Sequence, residues 1–496
     1  MKKINVRDIC LAKNTISGLA FQIVTVICGF VLPRAILQYY GSDINGLVNS
    51  VAQFLQVIAF LELGVGAVVQ SSLYKPISNN DISKISEVIA AGNAFFRKIA
   101  CALIIYVVIL ILIFPVLVDV RYGFIFDALL ILAMSISYFA QYYFGIIDRI
   151  FLNAAQHGYI SNYIYIITLI INTAMCYWLV CAGFSIQLVK FVTSIIFLTR
   201  PIIVRLYVNK YYSINRKAIY TIKSIPQKWN GVAQHIAAIV LDSTDTVVLS
   251  LFSTLANVSI YSVYNIVVSG LRQLFLVAFN GVMALFGELW AKNEKVILGN
   301  YFKKVEIILH LAVIDIWLCT YKLIVPFVLI YTENVRDADY NVPLFALLIC
   351  LASTFYCFKM TYNSMILAAG HYKQTQHIFI AAAGINIVVS ILFVAKFGLV
   401  GVAIGTIIAM MYQTLHMQYY CIIKLQIYSY TSTIKQYFID IICVAIVLFF
   451  TDEMVMTVFT WKLWVLFSLK VTFVITMIVT GINAIFHFKT FKKILM

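Results

Sequence analysis

Residues 99–118 read IACALIIYVVILILIFPVLV, twenty positions without a charge, directly after Arg97-Lys98. Twenty helical residues rise about 30 Å, the thickness of the hydrocarbon core of a bilayer. The stretch therefore reads as a transmembrane helix with a basic flank. Working outward, the same pattern fills the chain. Apolar residues make up 63% of 496 and charged residues 11%, whereas a soluble domain carries roughly 25% charged residues. Fourteen windows are long enough to span, at about 14–38, 45–73, 96–118, 123–147, 160–182, 185–207, 229–252, 258–289, 305–331, 342–368, 374–395, 399–424, 434–451 and 463–488. The fold class expected is an all-α polytopic membrane protein of about 14 transmembrane helices.

The gaps between windows alternate in charge. One set, from Lys2, Lys3, Arg7 and Lys13 through Lys75, Lys84, Arg97, Lys98, Arg149 and the cluster Arg200 to Lys228, and on to Lys489, Lys492 and Lys493, holds 26 Lys and Arg. The other holds only Arg121, Arg336, Lys396 and Lys462. By the positive-inside rule both termini are cytoplasmic, and an even number of spans is required. The formal charge of +16 is thus spread as helix flanks, suited to anionic lipid headgroups rather than to nucleic acid. The N-terminus, basic through Lys13 and without a small-residue cleavage site, reads as an uncleaved first helix. The ten cysteines form no CxxC pair and read as small apolar residues, with no disulfide framework and no metal site. There is no P-loop, no nucleophile elbow and no loop able to house a catalytic domain. A transporter, not an enzyme, is expected.

The chain also repeats. Ala154-Ala155-Gln156-His157 recurs as Ala368-Ala369-Gly370-His371, and at the same offset of 214 Asn172 recurs as Asn386. Offsets of 214 to 216 lay Gly41–Asn49 over Ala256–Tyr264. Six helices separate the copies, so both halves insert the same way up, as a parallel pseudo-two-fold repeat. The expected organisation is an N-terminal six-helix lobe over 1–208, a basic cytoplasmic linker over 209–228, a C-terminal six-helix lobe over 229–425, and a terminal helix pair with a basic tail over 426–496.

A charge at the middle of a spanning helix costs about 2.5–3.5 kcal/mol on the insertion scale. The candidates are the cations Arg34, Lys190, Arg272, Lys322, Lys359 and Lys470 and the anions Glu62, Asp242, Asp245, Asp315 and Asp440. Together they call for a polar path between the lobes. Arg272 and Lys359, deepest in their helices, are the expected substrate contacts. Arg34 follows Pro33, whose kink would aim it at the cavity or let it reach the headgroups. Lys190, a turn into its helix, reads as snorkelling. Asp242 and Asp245, three apart within Asp242-Ser243-Thr244-Asp245-Thr246, would bind Na⁺ or a proton, or pair with Arg272. Asp315 and Lys322, two turns apart, allow a structural pair. Glu62 stands beside Gly64 and Gly66, as a gate or as a packed, protonated residue. Gly401 and Gly405 form a GxxxG pattern that helix packing explains.

Several stretches carry a resemblance: Asn14-Thr15-Ile16-Ser17-Gly18, Pro33-Arg34 to Tyr40-Gly41, Leu61-Glu62-Leu63-Gly64, and Asp242 to Thr246 leading to Ile260-Tyr261-Ser262-Val263-Tyr264-Asn265. The chain resembles the bacterial polysaccharide repeat-unit flippases (O-antigen and capsule type, Wzx-like) of the multidrug/oligosaccharidyl-lipid/polysaccharide exporter superfamily. That resemblance implies alternating-access transport of undecaprenyl-diphosphate-linked oligosaccharide across the bacterial cytoplasmic membrane for surface polysaccharide synthesis, and polysaccharide assembly proteins as partners. It also implies cavity cations for the diphosphate, carried over only to Arg34, Arg272 and Lys359. Glu62 stands where related sequences often show aspartate. No organic cofactor is expected; a coupling Na⁺ or H⁺ would act at Asp242 and Asp245. Two alternatives stay open: an ion-coupled multidrug exporter of the same superfamily, and a membrane-embedded glycosyltransferase or polymerase.

Overall fold

The computed structural model describes residues 6–62, 65–118, 122–220 and 232–488. Among them every regular element is helical, and twelve helices are long and apolar enough to cross a membrane. The protein is an all-α multi-pass membrane protein. Lys2, Lys3, Leu63, Gly64, Arg121, the linker from 221 onward with Lys223 and Lys228, and Lys489, Lys492 and Lys493 lie outside the described residues. The twelve differ from the fourteen expected in two places. The first two spans merge into one apolar stretch, Lys13–Ala59, and the helix at the seventh position is not among the twelve.

The chain divides into two compact units, residues 1–239 with 254–256 and residues 240–253 with 257–496. In the first, α1 (Val6–Gln56) is broken at Gly41, whose φ of 84° is open to glycine and strained for other residues. Pro33 sits inside regular helix; the expected break lies eight residues further on. A 3₁₀ turn, Val57–Glu62, then interrupts the second predicted span before α2 (Val65–Ser78). Next come α3 (Ile82–Leu117), α4 (Phe124–Ala140), a π-helical turn (Gln141–Gly145) and α5 (Ile146–Ala154). The unit closes with α6 (Gly158–Cys181) and α7 (Ile186–Tyr211). The π turn is seated by Gly145, where a Cβ would fall 2.4 Å from the Pro201 Cβ of α7. Beyond α7 the start of the basic linker is anchored rather than free. Arg216 forks onto the buried Asp148 carboxylate at 2.7 and 3.2 Å, the bidentate geometry that holds best.

The second unit runs through α8 (Val232–Phe252), α9 (Leu255–Ala291), α10 (Lys295–Tyr331), α11 (Pro343–Ala368), α12 (Tyr372–Phe397) and α13 (Leu399–Ile423) to the terminal α14 (Tyr430–Thr451) and α15 (Trp461–Phe486). Helices α12 and α13 are in backbone contact. A Cβ on Gly401 would lie 2.4 Å from the Phe393 carbonyl oxygen, and one on Gly405 2.2 Å from Ser390 Oγ. The GxxxG pattern is thus a packing device, as small residues are in membranes generally. The terminal pair is fastened to α10 by polar contacts. Asp315 accepts from Thr476 at 3.0 and 3.1 Å, and Lys322 donates to the Thr451 carbonyl at 2.9 Å. These two residues therefore do not pair with each other as their spacing suggested: each reaches across to a different helix. Deeper in, His310 meets Asp440 at 2.6 Å and Glu306 at 3.2 Å, Phe358 stacks on its ring, and Tyr362 donates to Glu306. Lys470 is exposed on α15.

The repeat is visible side chain by side chain. Gln156 and Gly370 both adopt positive φ, 64° and 74°, closing α5 and α11. The histidine that follows each opens the next helix and meets a tyrosine hydroxyl, His157 with Tyr212 at 2.6 Å and His371 with Tyr420 at 2.8 Å.

Candidate functional site

Four of the intramembrane charges, Asp242, Asp245, Arg272 and Lys359, come together in the second unit. Helix α8 supplies Asp242 and Asp245, α9 Tyr261 and Arg272, and α11 Ser353, Tyr356 and Lys359, spaced three apart on one face. Helices α12 and α13 add Asn386, Thr406 and Gln413. Arg272 Nε donates to Ser353 Oγ at 3.2 Å and its guanidinium lies 5.2 Å from the Tyr356 ring centroid. Lys359 Nζ approaches the same ring at 4.3 Å and donates to Gln413 Oε1 at 2.7 Å. One tyrosine thus holds two cations. Lys359 is buried, and its ammonium is solvated by an amide, a thioether (Met410, 3.6 Å) and a ring face, all neutral. Such a shell leaves the charge available to an incoming anion. The accessible Asp242 carboxylate is in electrostatic contact with both cations. No direct salt bridge links them among the described residues.

Asp242 and Asp245 part company despite their spacing. Asp245 is buried. It is approached by Thr406 Oγ1 at 2.8 and 2.9 Å, by Tyr261 OH at 3.0 Å and by Asn386 Nδ2 at 3.4 Å. Thr406 Oγ1 also lies 3.1 Å from the Val402 carbonyl, so one hydroxyl proton faces three acceptor oxygens. Asn386 Oδ1 is buried without a hydrogen-bond partner. The cluster has more acceptor oxygens than protons, which is the chemistry a small cation or an added proton satisfies.

Arg34 and Glu62 belong to the first unit. Arg34 is half-buried on α1. Glu62 ends the 3₁₀ turn, half-buried, against Tyr142 and 3.5 Å from where a Gly66 Cβ would stand. Helix breaks of this kind at membrane depth line polar paths. Arg200 is placed otherwise than its sequence context suggested: it lies inside α7 rather than in a flank, because the helix continues to Tyr211. Lys190, half-buried about one turn into the same helix, lines a cavity with it. Sequence reading missed Thr406, Tyr261, Ser353, Tyr356 and Gln413 as site residues. It met Asn386 only as half of a repeat.

The comparisons with known proteins bear on the fold. Neither a family model nor a curated protein sequence matches the chain. Among solved structures, the lipid II flippase MurJ in an inward closed conformation superposes with a TM-score of 0.66 at 16% identity, over 94% of this chain and 98% of MurJ. The fold is that of MurJ. An inward-facing multidrug resistance MATE transporter of the MOP superfamily aligns at 0.55 and 13% identity, over 82% of this chain and 97% of its own. The eukaryotic MATE transporter AtDTX14 aligns at 0.53 and 14%, over 84% and 97%. These neighbours are transporters.

Proposed function

We propose that this protein is a flippase that moves undecaprenyl-diphosphate-linked oligosaccharide across the bacterial cytoplasmic membrane by alternating access, with both termini in the cytoplasm. The observation that carries it is the convergence of Arg272 and Lys359 on Tyr356, with their hydrogen bonds going to neutral partners and Asp242 near them without a direct salt bridge among the described residues. A diphosphate brings two anionic centres, and in a site of low dielectric its attraction to guanidinium and ammonium far exceeds that in water. The shared fold with a lipid II flippase supports a lipid-linked cargo. Asp242 then acts as the resident counter-ion that an arriving diphosphate displaces. Arg34 and Glu62, in the first unit, are the proposed further contacts on the path.

The coupling ion belongs at Asp245. Its carboxylate, with Thr406 Oγ1 and Asn386 Oδ1, supplies the oxygen donors that Na⁺ takes, and a proton would satisfy the same excess of acceptors. Neutralising this site reorganises α8 against α12 and α13, the helices that also carry Asp242 and the Lys359 partner Gln413.

The test is reconstitution in liposomes with an undecaprenyl-diphosphate oligosaccharide, reading leaflet accessibility. Arg272→Ala and Lys359→Ala should each slow movement by at least tenfold, about 1.4 kcal/mol or more. Wild-type rates in both variants would overturn the diphosphate site. Gradient-driven extrusion of a cationic dye, with no lipid movement, would establish the multidrug reading instead.

A further inference from the structure

The first unit contains a cavity of about 340 Å³, within the range of small-molecule sites. It is walled by α4, the π turn, α6 and α7. Two cations face it, Lys190 and Arg200, and none of the lining residues is acidic. They stand ten residues apart on α7, a rise of about 15 Å between their Cα atoms, and both long side chains line the same space. Between them lie hydroxyls, an amide and a ring: Ser137, Gln141, Thr193 and Tyr165. Arg200 is already oriented, donating to Thr168 Oγ1 at 2.7 Å and packed between Phe197 (3.7 Å) and Tyr165 (4.8 Å). Lys190 has no hydrogen-bond partner among the described residues, and its charge is directed at the cavity.

Two backbone irregularities border this space. The π turn, Gln141–Gly145, inserts a residue into the wall formed by α4, and such bulges recur at functional sites. Pro201 removes the helical donor to the Phe197 carbonyl on the opposite wall. Two half-buried cations with no acidic residue in the lining leave a positive field that an anionic ligand would neutralise.

We propose that this chamber binds an anionic polyol: a carboxylate or phosphate on a hydroxyl-bearing body, held at its charge by Lys190 and Arg200 and at its hydroxyls by Ser137, Gln141 and Thr193. Two sources share that chemistry, an acidic sugar of the cargo and a glycerol-phosphate lipid headgroup. The sugar source rests on the flippase reading; the chamber itself does not. The test uses the purified full chain, titrated calorimetrically with glucuronate and with glucose. Native mass spectrometry compares retention of phosphatidylglycerol with that of phosphatidylethanolamine. Preference for glucuronate identifies a cargo subsite, and preference for phosphatidylglycerol a lipid site. In either case Lys190→Gln with Arg200→Gln should weaken binding about tenfold or more, Lys190→Arg should retain it, and Lys470→Gln, exposed on α15, should leave it unchanged. If the double variant does not fold, Lys190→Gln alone is read. Equal binding of charged and neutral probes, or an unchanged preference in the variants, overturns the proposal. The leaflet assay is independent of this result, so either reading can fail alone.

Discussion

Asn172 and Thr193 in the first unit and Asn386 and Thr406 in the second occupy matching places, 214 and 213 residues apart. Between them Cys176 bonds the Val189 carbonyl at 3.6 Å, as Ser390 does Val402 at 3.5 Å. The scaffolds agree and the chemistry does not. In the first unit Asn172 and Thr193 are joined only through the Cys176 thiol, at 3.3 and 3.2 Å. In the second Asn386 meets Thr406 directly at 3.1 Å and both close on Asp245. Two positions differ in size: where α13 has Gly401 and Gly405, whose missing Cβ atoms admit α12, α7 has Leu188 and Val192. The repeat supplies a common frame; glycines and one aspartate give only the second half its buried oxygen cluster. In the same register Gln413, which holds Lys359, corresponds to Arg200 of the first unit.

The comparison breaks most sharply at Asp245. Asp245→Asn should remove the dependence of lipid movement on an ion gradient and slow it by about a hundredfold, the scale expected when a charged partner is lost from a buried site, while Asn172→Ala leaves ion dependence intact. Flux with and without Na⁺ and pH gradients reads both. An unchanged ion dependence in Asp245→Asn would refute the coupling site. Next in size, Asp440→Ala strands His310 beside Glu306 and should cost about 3–5 kcal/mol, seen as a large fall in melting temperature; the first unit has no such network among its described residues. Gly405→Val, against Ser390, should cost about 1–3 kcal/mol by overpacking, whereas Gly384→Ala, with nothing within 4 Å of the added Cβ, should be nearly silent in the same melt. The smallest effect concerns His157, outside the spans, whose pKa burial lowers from its ordinary 6.5. A histidine depressed on folding contributes stability that is present above about 6.5 and is lost as pH falls toward its folded pKa. Hydrogen exchange at the α5–α6 junction should therefore quicken on acidification, and His157→Gln should flatten that response.

The spans were legible in the sequence because a bilayer demands a minimum apolar length, and Asn386 was visible as a repeat. Charge position alone did not tell Arg200 from a flank: a hydropathy window sees an arginine near a helix end, not the cavity it faces. Asp315 and Lys322 show the converse error, since helical spacing permits a pair while Thr476 and Thr451, more than a hundred residues on, take the bonds. Asp242 and Asp245 were found as a pair, but their separation into an accessible counter-ion and a buried oxygen cluster depends on α9, α11, α12 and α13, whose placement no local pattern encodes. Gly41 outweighed Pro33 as the break in α1 because a proline within a helix removes one donor, whereas positive φ ends the helical path itself.

The fastening of α14 and α15 to α10 sets how the protein can be shortened. A chain cut after α13 would leave His310, Asp315 and Lys322 on α10 without Asp440, Thr476 and the Thr451 carbonyl that now meet them. A stable chain without the terminal pair would thus require apolar replacements along α10 as well.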